Sequence, residues 1–284
     1  MLKGVNISFS YDKKSASENI LNDVSFEINV GDFIGIIGTS GSGKTTLIKH
    51  FNGLLRASSG ELYLNDKNVY DKNFDLFKLR KEVGLVFQYP ENQLFKKTVI
   101  EDTMFGPINL GMSEEEARTV AERELKFVGI DEVLFTANPM ELSGGQKRSV
   151  AIAGVLAMSP KIIVLDEPAA GLDFYTKSRI FDLLKRIITI KKMAVVFVSH
   201  NMEDVANYAN QVWIMKQGTL ISKESVQTTF SRDDIIDLAG MDVPEVTKLT
   251  KDLISAGIPL KSISTTVDEA EKNLSEVFKK NRGH

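Results

Sequence analysis

A short apolar run leads the chain into a glycine-rich octet and then into a helical pattern, and few folds satisfy that order. The residues are Phe33-Ile34-Gly35-Ile36-Ile37, then Gly38-Thr39-Ser40-Gly41-Ser42-Gly43-Lys44-Thr45, then apolar positions at helical spacing from Thr45 to Leu55. Continuous rather than alternating apolarity predicts a strand buried on both faces of a mostly parallel sheet. The octet has the Walker A pattern. Its glycines let backbone N–H groups converge on phosphate, and the N-terminus of the following helix adds positive potential. Lys44 is placed to reach the β- and γ-phosphates of a nucleotide, and the Thr45 hydroxyl to ligate magnesium. Gly38, Thr39, Ser40, Gly41, Ser42, Gly43, Lys44, Thr45 and Thr46 are therefore the candidate nucleotide-binding residues.

Three further runs predict strands of the same kind: Val83-Gly84-Leu85-Val86-Phe87, Ile162-Ile163-Val164-Leu165 and Ala194-Val195-Val196-Phe197-Val198. Residues 2–30 instead contain alternating segments such as Val24-Ser25-Phe26-Glu27-Ile28, which suit an antiparallel sheet with one buried face. Between Gln88 and Gly145 the pattern turns helical. Ser113-Glu114-Glu115-Glu116 reads as a capping box, with Ala117, Val120, Ala121 and Leu125 on one face behind it. After about Ser225 the texture changes to charged helical segments broken by Gly240, Pro244, Gly257 and Pro259. The expected organisation is a nucleotide-binding domain over 1–224, containing a helical subdomain over about 89–150, and a small C-terminal helical domain over 225–284.

Composition sets the outer bounds. A chain of 284 residues with 43% hydrophobic and 26% charged residues suits one large α/β domain plus an appendage. A net charge of −3 offers no electrostatic case for binding nucleic acid. The absence of cysteine excludes disulfides, thiolate-bound metals and thiol nucleophiles. Met1-Leu2-Lys3-Gly4 has no apolar stretch, so no signal peptide is expected. The longest uncharged stretch, Ser149 to Pro160, is far short of the roughly 20 apolar residues that span a bilayer. Any membrane role must be exercised through a partner.

The segment from Lys161 to Glu167 supplies the second half of a nucleotide site. Its apolar residues carry Asp166 and Glu167 to the end of a buried strand, and Pro168 ends it. Ligands bind at that carboxyl edge in parallel sheets. Asp166 would hold magnesium through water, and Glu167 would act as general base on the attacking water. An acidic pair after a strand ordinarily opens a solvated loop; downstream of a Walker A loop, the catalytic reading prevails.

Leu142-Ser143-Gly144-Gly145-Gln146 would arise by chance in about one chain in a few thousand, and it resembles the signature of the ATP-binding-cassette superfamily. The resemblance covers residues 2 to about 222. It implies a P-loop NTPase of α/β class: a RecA-like core, an antiparallel β subdomain and a helical signature subdomain. It also implies ATP and Mg2+ as ligands and a dimer in which Ser143, Gly144, Gly145 and Gln146 contact ATP held by the other protomer. The remaining family elements fall in order. Gln88 matches the Q-loop glutamine that senses magnesium and water. Ala169-Ala170-Gly171-Leu172-Asp173 matches the D-loop at the dimer interface, with Asp173 at its end. His200 matches the switch histidine, and Tyr11 the aromatic that stacks on adenine. Alone each is weak, since a histidine after a strand is more often structural than catalytic.

The Q-loop, Phe87-Gln88-Tyr89-Pro90-Glu91-Asn92-Gln93-Leu94-Phe95, resembles the ATPases of energy-coupling factor transporters for vitamins and metal ions. His50-Phe51-Asn52-Gly53-Leu54-Leu55, the segment from Asp166 to Asp173, and Ser199-His200-Asn201-Met202 look most like the second ATPase paralogue of that family. That resemblance implies a sister ATP-binding subunit, with a homodimer as the alternative. It also implies a transmembrane coupling protein, a substrate-capturing membrane protein and a peripheral position on the cytoplasmic face of the cell membrane. The Tyr89–Phe95 segment is expected to line a groove for a helix of the coupling protein, with Glu91 at its rim. Ser149 stands where most relatives have an arginine, and Phe174 where they have proline. The alternatives are a conventional importer ATPase served by a soluble binding protein, and a soluble cassette ATPase without transport. Lys44 and Ser143 are only about 100 residues apart without sustained heptads, which leaves no room for the long coiled coil of chromosome and repair versions.

Overall fold

The structure is a computed structural model, and it describes residues 1–12 and 19–281. In chain order the elements are β1 (Leu2–Phe9), β2 (Leu21–Ile28), β3 (Phe33–Gly38), α1 (Lys44–Phe51), β4 (Ser59–Leu64), β5 (Lys67–Asn68), α2 (Leu76–Glu82) and β6 (Val83–Val86). Then come α3 (Val99–Asn109), α4 (Glu114–Phe127), α5 (Gly144–Leu156), β7 (Ile162–Asp166), α6 (Phe174–Lys191), β8 (Ala194–Val198) and α7 (Met202–Tyr208). The last are β9 (Gln211–Lys216), β10 (Thr219–Ser225), α8 (Val226–Ser231), α9 (Asp233–Ala239), α10 (Glu245–Ser255) and α11 (Val267–Asn281).

The apolar runs become the middle of one sheet in the order β10-β9-β3-β8-β7-β6. All its neighbours pair in parallel except β10, which returns antiparallel to β9. These strands are apolar throughout because both faces are covered. Ile162 and Val164 pack in one core, with α1 and the antiparallel sheet, while Ile163 and Leu165 pack in the other, with α3 to α6. The alternating N-terminal segments form the second sheet, β2-β1-β4-β5, antiparallel throughout. The capping box at Ser113 forms: its hydroxyl accepts from the Glu116 N–H, and the Glu116 carboxylate accepts from the Ser113 N–H.

Two elements differ from their sequence pattern. The helix after the glycine-rich loop stops at Phe51 instead of Leu55, because Gly53 turns to φ +70 and the Gly53 N–H is taken by the His50 carbonyl. Beyond Ser225 the helices fall into two sets. Phe230, Ile235 and Ile236 of α8 and α9 sit in the same core as β9 and α6. Thr250 of α10 holds the segment before α11, its hydroxyl accepting from the Ser264 N–H at 3.1 Å.

Candidate nucleotide site at the sheet edge

The strand β3 ends at Gly38, where φ is +152 and a Cβ would lie 2.3 Å from the Met215 carbonyl oxygen. Only glycine fits there. Gly43, at φ +101, starts α1. Between them the loop closes on itself, the Ser42 N–H donating to the Thr39 carbonyl at 3.2 Å. Lys44 is buried, and its ammonium donates to the carbonyls of Gly38 at 2.8 Å and Thr39 at 3.0 Å. Burial pushes its pKa below the ordinary 10.5, while the Glu167 and Asp166 carboxylates pull it back up.

The acidic pair reaches the same place from β7. The Thr45 hydroxyl donates to Asp166 Oδ2 at 3.0 Å, so the two oxygen ligands expected for a cation are already side by side. Burial raises the Asp166 pKa, against the Thr45 hydrogen bond and the charge of nearby lysines. Glu167 is pushed up to about 7, first by burial and then by the Asp166 charge. Adjacent carboxylates, one buried and one half-buried, form a set that a divalent cation would complete. Glu167 also holds a left-handed backbone at φ +52, a conformation that costs a side-chain-bearing residue about 1 kcal/mol or more. Its N–H still bonds to the Val198 carbonyl at 3.2 Å, so the sheet carries it into the turn.

His200 Nε2 lies 3.1 Å from Glu167 Oε1. Burial and the Lys44 charge lower the histidine below 6.5, so at neutral pH this contact is not a full ion pair. Gln88 and Tyr11 complete the mouth. Together Tyr11, Ile20, Ser40 to Thr46, Gln88, Asp166, Glu167, Val198 and His200 line a cleft of about 510 Å³. Tyr11 is 62% exposed, its ring edge-on to Phe9 at 4.8 Å. Gly38 and Thr39 stand behind the cleft as carbonyl acceptors for Lys44.

The signature residues are not among those lining this cleft. Ser143 caps α5, its hydroxyl accepting from the Gln146 N–H at 3.3 Å while Gln146 Oε1 accepts from the Ser143 N–H at 2.9 Å. A Cβ on Gly144 would meet nothing within 4 Å, whereas one on Gly145 would lie 2.4 Å from Thr176 Cγ2. Ser143, Gly145 and Gln146 line a separate cavity of about 280 Å³ with Ser149 and Thr176. Asp173 caps α6, accepting from the Thr176 N–H at 3.0 Å and from its hydroxyl at 2.6 Å. Arg148, which the motif order does not single out, is buried and bonded to the turn after Glu167.

An apolar cavity of about 390 Å³ lies between α2, α3 and α5, walled by Phe77, Leu85, Leu94, Phe95, Phe105 and Met158 and edged by Arg80, Lys81 and Asp102. Of the Tyr89–Phe95 segment, Gln93, Leu94 and Phe95 line it and Tyr89 does not, because Tyr89 turns left-handed at φ +59 before a 3-10 turn over Pro90–Gln93. The Glu91 side chain lies outside the described residues.

Comparison with known proteins agrees with this geometry. A family model described as ABC transporter matches residues 21–170. The energy-coupling factor transporter ATP-binding protein EcfA2 of Caldanaerobacter subterraneus is 44% identical over 274 residues, covering 96% of each chain. Its counterpart in Clostridium perfringens is 42% identical over 285 residues, covering 99% of each. Among solved structures, cbiO1 from Clostridium perfringens, part of the ABC transporter complex cbiONQ, superposes with a TM-score of 0.74 at 35% identity, over 88% of this chain and 98% of that one. A dimeric ATP-binding cassette in a post-hydrolysis state, bound to ADP and Pi, superposes with a TM-score of 0.70 at 31% identity, over 80% of this chain and 99% of that one.

Proposed function

This chain belongs to the ABC transporter family, within the energy-coupling factor transporter ATP-binding proteins, and from that premise we propose that it is one half of an ATP-closed clamp that drives an importer of vitamins or metal ions. The observation that carries the clamp is a separation. Lys44, Thr45, Asp166, Glu167 and His200 converge in one cleft, while Ser143 and the open face of Gly144 point elsewhere at a helix N-terminus. Each half is an incomplete phosphate site, and a second chain supplies what the first lacks.

Within the composite site each residue has a distinct task. Lys44 and the loop amides bind the phosphates, Tyr11 stacks on the base, and Thr45, Asp166 and Gln88 hold the cation. Magnesium, when bound, neutralises charge that develops on the phosphates. Glu167 orients the attacking water and takes its proton, a role suited to a carboxyl poised near neutrality. His200 keeps Glu167 in place. Ser143, Gly144, Gly145 and Gln146 of the second protomer close on the γ-phosphate, and Asp173 lies at that interface.

No helix among the described residues is long and apolar enough to cross a membrane. In this reading coupling runs through partners: a sister ATP-binding subunit, a transmembrane coupling protein whose helix enters the groove at Phe95 and Phe105, and a membrane protein that captures the substrate. The chain works as a peripheral subunit on the cytoplasmic face. Residues 1–224 form its nucleotide-binding domain and 225–284 a C-terminal helical segment, of which α8 and α9 pack into that domain's core and the remaining helices make a small appendage.

The test is complementation. Ser143→Arg pushes a cation into the partner's phosphate space, and Lys44→Ala removes a phosphate contact of the chain's own site. Each alone should lose hydrolysis as a homodimer. Mixed, they leave one site with both halves intact, and recovery of roughly half the activity of one wild-type site pair is expected from the mixed dimers. No recovery when the mixed species forms would overturn the homodimeric clamp and require the sister subunit.

A further inference from the structure

The signature helix carries a residue that the scheme above leaves unused. Arg148, in the second turn of α5, is only 4% exposed, a burial that a guanidinium tolerates only with partners. Its Nη1 donates to the Pro168 carbonyl at 2.9 Å and to the Ala170 carbonyl at 3.1 Å. Those carbonyls belong to the turn that leaves Glu167, and the Ala170 N–H closes that turn onto the Glu167 carbonyl at 3.2 Å. Glu167 itself keeps φ at +52, a conformation that a residue with a side chain holds only under constraint. The guanidinium is one such constraint, and it comes from the helix that begins with the signature.

A second contact joins the start of α5 to the first turn of α6, just after the turn that leaves Glu167. Gly145 packs against Thr176 so closely that an added Cβ would fall 2.4 Å from Thr176 Cγ2. Thr176 in turn donates its hydroxyl to Asp173. The next residue of α6, Lys177, pairs its Nζ with Asp204 Oδ1 at 2.8 Å, and the Asp204 side chain is 8% exposed. Asp204 opens the helix that follows His200, where its N–H is capped by Asn201. The start of α5 thus packs tightly on the first turn of α6, and α6 is tied to the start of α7 by the Lys177–Asp204 ion pair.

We propose that Arg148 is a positioning residue for hydrolysis: from the signature helix it holds the 167–170 turn, so that Glu167 stays aimed into this chain's own cleft. Turnover at one phosphate loop then depends on the helix that grips the nucleotide of the other. This rests on the two-chain site proposed above. The guanidinium suits the task because the two N–H groups of Nη1 are fixed in one plane, one for each carbonyl, whereas a lysine ammonium turns freely on a flexible stem.

Tagged pairs of chains separate this role from a simple part in the signature. In the first pair the second chain carries the phosphate-loop lysine replaced by Ala, so the sole working loop belongs to the chain under test. There R148M should lower kcat by about 10- to 100-fold, the scale of a misplaced catalytic group, with KM for ATP within about threefold, and R148K should fall between R148M and wild type. In the second pair R148M and Lys44→Ala share one chain, so that Arg148 lies only beneath the signature of the working site. A loss below about threefold is expected. Equal losses in both pairs, a loss confined to the second pair, or a raised KM with kcat kept would each overturn the assignment. Should R148M fail to fold, judged by melting, R148K is read in both pairs against the same criteria. The control is the first pair with Arg148 intact: absence of hydrolysis there overturns a working site built from two copies of this chain, and this inference falls with it.

Discussion

Replacing Glu167 with Gln should stop turnover and, in the nucleotide-free protein, raise stability at alkaline pH. The carboxyl titrates at 4.5 when unperturbed and at about 7 in the fold, so between those values the folded state binds more protons than the unfolded one. Stability therefore falls as pH rises through that window and levels off above about 7. Each tenfold change in proton affinity is worth about 1.4 kcal/mol, so the full displacement corresponds to about 3 kcal/mol. Glu167 lines an open cleft and keeps part of its hydration, so about half of that, roughly 1.5 kcal/mol, is a reasonable magnitude. Gln keeps the shape and the left-handed backbone and carries no charge to desolvate. In EDTA at pH 8.5, Glu167→Gln should melt about 3–6 °C above wild type, and the difference should shrink below about 1 °C near pH 4.5. ATP hydrolysis should fall by about 10²- to 10⁴-fold, with an ATP-dependent dimer accumulating in light scattering. A melting difference that is the same at both pH values would refute the burial argument, and near-wild-type hydrolysis would refute the general-base role.

The two signature glycines should separate cleanly in a thermal or urea titration. Gly145→Ala, which meets Thr176 at 2.4 Å, should cost about 1–3 kcal/mol, whereas Gly144→Ala, with open space around it, should stay within about 0.5 kcal/mol. In the apolar groove, Phe95→Glu places a carboxylate on a ring that is 60% exposed and packed edge-on to Phe105 at 4.9 Å. Recovery of the membrane subunits in a pull-down should drop at least about tenfold, and undiminished recovery with a folded variant would rule out docking there.

The parts of this protein legible in its sequence are those governed by neighbours along the chain. Gly38 to Thr45 mark the phosphate loop because backbone conformation and amide direction there depend on the residues themselves. Likewise Ser113 with Glu116 marks a helix start, since both partners of the capping box lie within one turn. The uninterrupted apolarity of Ile162 to Leu165 already announced a strand covered on both sides, and the two cores that receive alternate residues are the reason. What the tertiary structure alone decided depends on segments far apart in sequence. Glu167 looks like any acidic residue after a strand; in the fold its N–H is held by the Val198 carbonyl while its backbone turns left-handed, and burial with the Asp166 charge raises its pKa against the opposing pull of Lys44 and the His200 backbone. Arg148 reads as a surface charge beside Lys147, yet the fold closes the turn at Pro168 over it and buries it. The position of Ser143 outside the chain's own nucleotide cleft is legible only through the family resemblance, not from the residues themselves. That separation is set by how α5 packs against α6, and such a contact exists only once the sheet has brought the two helices together.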